Sequence, residues 1–86
     1  MHERSLASSI VRAVERAARA EDARRVLAVR ARVPELSAVS LDHLRLHFRL
    51  ASAGTIAEGA QVDLVAAPDG VDVVIESIEI EDEGGD

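Results

Sequence analysis

Phe48 is the only aromatic residue in 86 and there is no cysteine, so no cluster of rings can fill the interior and no disulfide can staple it. The core must come from Leu, Ile and Val, because fifteen of the residues behind the 48% apolar content are alanines, which bury little area each. A chain of this length makes one domain and buries only about 60–65% of its unfolded surface, so association with a partner, or with itself as a homodimer, is expected. It leaves no room for two lobes around a cleft. Without thiolates, any metal must be held by nitrogen and oxygen donors.

The net charge of −6 is unevenly spread. Residues 1–49 hold all ten Arg against six acids, and residues 50–86 hold ten acids and no base. With one aromatic, no Lys and no recognisable reading helix, nucleic-acid binding is set aside. No N-terminal apolar stretch resembles an export signal and no run reaches membrane-spanning length, so no membrane partner is expected and the expected location is cytoplasmic.

From Ser5 to about Ala20, Leu6, Ile10, Val14 and Ala17 recur at helical spacing, with Ser5 as an N-cap. Val26 to Val33 then alternates, Leu27, Val29, Ala31 and Val33 to one side and Ala28, Arg30 and Arg32 to the other, which is the period of a half-buried strand. Pro34 stops it. Ser37 or Ser40 can cap a second helix with Leu41, Leu44, Phe48 and Ala51 in one stripe, ended by Gly54. Leu46 and Leu50 fall off that stripe, so they meet a second layer or form part of a partner surface with Arg30 and Arg32. Residues 61–67 and 71–80 read as strands joined into a hairpin by Pro68-Asp69-Gly70, with a bulge or a change of partner near Glu76 and Ser77 where the apolar parity switches. The order helix, strand, helix, strand, strand predicts an α+β domain, two helices on one face of a three-stranded sheet, over residues 1–81, with residues 82–86 as a disordered acidic tail.

Three groups of residues carry candidate chemistry. In Met1-His2-Glu3 the α-amine, the amides of His2 and Glu3 and the His2 imidazole lie within chelate-ring distance of one another, a nitrogen set that suits square-planar Ni(II) or Cu(II). His43 and His47, i,i+4 on the second helix, can share one metal. The acids Asp72, Glu76 and Glu79 have neither a nucleophile nor a Gly-rich phosphate loop beside them, so catalysis is not expected and the chain is not read as an enzyme.

Met1-His2-Glu3 followed by Ser5-Leu6-Ala7 resembles the start of the HypA family of nickel metallochaperones of [NiFe] hydrogenase maturation. The resemblance continues in Pro34-Glu35-Leu36-Ser37-Ala38-Val39, in Leu44-Arg45-Leu46-His47-Phe48, in Gly54-Thr55 with Glu58-Gly59-Ala60, and in Ser77-Ile78-Glu79-Ile80-Glu81. It implies a nickel site at Met1, His2 and Glu3, with a HypB-type GTPase and the hydrogenase large-subunit precursor as partners and urease maturation served by some members. It also implies that the family's zinc insertion, two Cys-x-x-Cys pairs, is replaced here by the Pro68-Asp69-Gly70 turn, so Ni(II) and no zinc is expected. His43 and His47 match no ligand of the family. Two functions follow: a carrier that delivers Ni(II) to a maturing nickel enzyme, or a metal-free interaction module of the same fold that docks on a maturation GTPase or enzyme precursor.

Overall fold

The computed structural model describes residues 3–35, 40–70 and 72–82, with side chains from Ser5 onward. Its elements are α1 (Glu3–Ala20), β1 (Ala23–Pro34), α2 (Leu41–Ser52), β2 (Gln61–Ala67) and β3 (Val74–Asp82), the α+β order expected.

Helix α1 already contains Ser5, so Ser5 is not its cap. Its buried face is Leu6, Ala7, Ile10, Val11, Val14 and Ala18, while Ala17 is exposed. The i+3 and i+4 neighbours widen the stripe and shift its end by one residue. A two-residue turn, with Glu21 N–H donating to Ala18 O and Asp22 N–H to Arg19 O, each at 3.0 Å, leads into β1. Asp22 turns at φ 55°, a conformation that Asp tolerates better than most side chains.

Strand β1 is the centre of the sheet, whose order is β2-β1-β3. β2 runs parallel to β1, Ala28 opposite Gln61 through Pro34 opposite Ala67, which the intervening α2 permits because a parallel pair needs a crossover. β3 runs antiparallel on the other edge, Val26 opposite Ile80 through Arg32 opposite Val74. The expected hairpin is therefore absent: β2 and β3 are the two edges and do not pair. Residues 68–73 carry the chain past the end of β1. Crossing two strand spacings takes about 10 Å, and six residues can reach about 20 Å.

The bulge expected at Glu76 is present, since Arg30 pairs with Ser77 and Ala31 with Ile75, leaving Glu76 unpaired between them. A second irregularity lies between Val26 and Ala28. It reverses the phase of the start of β1, burying Val26 and leaving Leu27 exposed where simple alternation puts it inside. From Val29 on, Val29, Ala31 and Val33 enter the core and Arg30 and Arg32 face water.

Both helices cover the inner face of the sheet. Leu44 and Phe48 of α2 join the α1 stripe and Val26, Val29, Ala31 and Val33 in one cluster, with Leu41 and Ala51 at its margin. Ser40 caps α2, its Oγ accepting from His43 N–H at 3.3 Å, and Ser37 lies outside the described residues.

Beyond α2, Gly54 takes φ 82° and Gly59 φ 81°, backbone conformations that disfavour a side chain. Between them Thr55 Oγ1 donates to Ser52 O at 2.7 Å and accepts from Ala57 N–H at 3.0 Å, and the Glu58 carboxylate accepts from Gly54 N–H at 3.0 Å. The pattern Gly-Thr-x-x-Glu-Gly is thus a self-bonded turn. It is anchored to β1 where Val26 N–H donates to Ile56 O at 2.8 Å.

Candidate metal centre

The nitrogen-rich start of the chain meets the fold at Glu3, the first residue of α1. Met1 and His2 lie outside the described residues, and of Glu3 only the backbone is described. The first four N–H groups of a helix have no intrahelical acceptor. The Glu3 amide is therefore outside the helical ladder, and a metal that displaces its proton breaks no helix bond.

His43 and His47 stand one turn apart on α2, His43 exposed and His47 half-buried. Neither imidazole has a hydrogen bond or ion pair among the described residues. Among those residues no group of three or more His, Cys, Asp or Glu could hold a metal, so the pair brings only two donors. Leu46 and Leu50 share this outer side of the helix, 49% and 63% exposed, and meet no second layer among the described residues.

The Arg face of β1 is built differently from a free basic patch. Arg30 lies opposite Asp63 of β2 and Ser77 of β3. It donates from Nη1 to the Asp63 carboxylate at 2.9 Å and from Nε to Glu76 at 3.0 Å, while Arg32 reaches the other Glu76 oxygen at 3.5 Å. One guanidinium thus spans all three strands. Nothing local in the sequence places residue 63 beside residue 30; only the parallel register does.

Among the described residues no helix is long and apolar enough to cross a bilayer. The family model described as hydrogenase/urease nickel incorporation, metallochaperone, HypA matches residues 1–80. The chain belongs to the HypA family. Curated relatives named hydrogenase maturation factor HypA include one from Archaeoglobus fulgidus, 45% identical over 64 residues, covering 74% of this chain and 58% of the relative. Another, from Azotobacter vinelandii, is 38% identical over 68 residues, covering 79% of this chain and 60% of the relative. The chain thus spans under two thirds of the length of these HypA proteins. The solution structure of the Ni metallochaperone HypA from Helicobacter pylori superposes with a TM-score of 0.81 at 18% identity, over 96% of this chain and 100% of that one, which establishes the shared fold. HypA is a family of nickel metallochaperones in hydrogenase maturation, ion carriers and not enzymes. This chain has no cysteine, so within its 86 residues a thiolate zinc site cannot form.

Proposed function

We propose that this chain binds Ni(II) through the Met1 amine, the amide and imidazole of His2 and the amide of Glu3, and hands the ion to a maturing nickel enzyme in the cytoplasm. Family membership across residues 1–80 carries the reading. The position of Glu3 at the start of α1 supports it, because the amides nearest the terminus are the ones a helix leaves unbonded. Four nitrogens in a plane suit a d⁸ ion. A HypB-type GTPase and the hydrogenase large-subunit precursor, or their urease counterparts, are the proposed partners.

The test is a Ni(II) titration of untagged chain beside His2→Ala and a chain with two residues added before Met1. The native chain alone is expected to bind one ion tightly with the yellow absorbance of square-planar nickel. Three identical titrations would remove the N-terminal site and leave docking without an ion as the function. Affinity is also expected to fall as the pH drops from 8 to 6, because protons compete for an imidazole with a reference pKa of about 6.5 and an α-amine of about 8. A flat profile over that range contradicts the ligand set.

A further inference from the structure

Helix α2 sorts its side chains into flanks of different chemistry. Leu44 and Phe48 point into the core. Arg45 and Arg49, one position further along, line a depression with Ser52, Gln61 and Val62 at the β2 side. His43 and His47, one position back, lie on the opposite flank, about 160–200° around the helix from Arg45 and from Arg49 respectively. The two cations of the helix are therefore turned away from the two imidazoles, and Arg45 is further held by Asp42, Nη1 to Oδ1 at 3.0 Å.

Residues four apart on a helix have their Cβ atoms about 5–6 Å apart. Two imidazoles so placed can close on one ion at the usual metal to nitrogen distance of about 2.0–2.1 Å. The helix that carries them is anchored at both ends of the span: Ser40 caps its start, and Leu44 and Phe48, each adjacent to one of the imidazoles in sequence, are locked in the core. Neither ring has a hydrogen bond or ion pair among the described residues, so no polar contact described has to be broken for them to bind.

We infer that His43 and His47 form a second site for a borderline divalent ion of the nickel, copper and zinc class, held by two imidazoles on α2 and distinct from the N-terminal nitrogens. No third side chain completes the site among the described residues, so water fills the remaining positions and the ion stays exchangeable. Such a site is weaker than a four-nitrogen set and open on its outer side. It takes up an ion readily and gives it up to a ligand brought by another molecule. The site uses none of the N-terminal donors, and its existence does not depend on them.

The two sites differ in electronic state, which separates them experimentally. A square-planar Ni(II) is diamagnetic; an ion with two imidazoles and four waters is six-coordinate and paramagnetic. Ni(II) is therefore titrated into the His2→Ala chain and followed by amide NMR. One ion is expected to broaden the amides around residues 43–47 selectively. His43→Ala or His47→Ala is expected to weaken this at least about 100-fold, the lower range for separating two joined binding groups. The double variant R45H/H47A keeps two imidazoles on the helix but places them two residues apart, facing different ways, and is expected to bind as weakly as the single variants. The same spectra show whether each variant is folded. Equal binding by either single-His chain, equal binding by R45H/H47A, or no selective broadening on α2 up to millimolar Ni(II) overturns the site. Failure of the N-terminal assignment shows instead as loss of the yellow species in the native chain, leaving the α2 readout unchanged.

Discussion

The sheet and α2 each present one face to water, and the two faces are made on opposite plans. On the sheet, Arg30 and Arg32 are engaged by Asp63 and Glu76 from both neighbouring strands, so the charges are spent holding strands together. On α2, His43, Leu46, His47 and Leu50 have nothing of the kind: the imidazoles are unbonded and the leucines meet no layer among the described residues. An exposed polar group that the fold has already satisfied contributes to structure. One that it leaves unsatisfied is available to an ion or a partner.

The sharpest contrast runs through α2 itself. Phe48→Ala removes the only aromatic from the core and is expected to cost about 3–5 kcal/mol, enough to unfold much of a small domain, as read by urea denaturation. Losing both arginines of the sheet face, R30A/R32A, is expected to cost about 1–2 kcal/mol in total, since three exposed ion pairs are removed at under about 1 kcal/mol each and Asp63 and Glu76 are left facing each other across β1. That loss should shrink at 1 M salt, where screening weakens surface pairs. A salt-independent loss would mean that the arginine stems act by packing. Ser40→Ala takes away the cap of α2 and is expected to cost about 1 kcal/mol, measured as a shift in the urea midpoint. The smallest effect belongs to the outer face: L46S/L50S is expected to stay within about 0.5 kcal/mol of the parent. A large destabilisation there would show that the leucines are covered in solution, and would break the contrast between the two faces.

Much of this fold was legible along the chain, because local periodicity carries it. The stripe of Leu44 and Phe48, the cap at Ser40 and the bulge at Glu76 each show in the order of neighbouring residues. Strand partners do not. The Pro68-Asp69-Gly70 turn looks like the tip of a hairpin, yet the strands on either side prefer β1, the strand that buries Val26, Val29, Ala31 and Val33 against the helices. Pairing is decided by that competition among distant segments, which a local turn signal does not register. The phase of Leu27 was hidden for a related reason: the irregularity that exposes it lies beside the Val26 bond to Ile56, a contact thirty residues away. Of the candidate site, the donor types and their spacing were legible in Met1-His2-Glu3 and in His43 and His47, whereas the position of Glu3 ahead of the helical ladder and the turning away of Arg45 and Arg49 required the fold.

The link between β2 and β3 joins two edges of a sheet that never touch each other, and its Gly70 N–H bonds back to Ala67 O, at 3.1 Å. Residues added there would disturb no ladder and shift no register. The cost of lengthening it is that of a longer tether, about 0.6 kcal/mol for each doubling. The domain thus has a seam at which a whole module can be gained or lost in evolution while the layer that carries the N-terminal helix stays as it is.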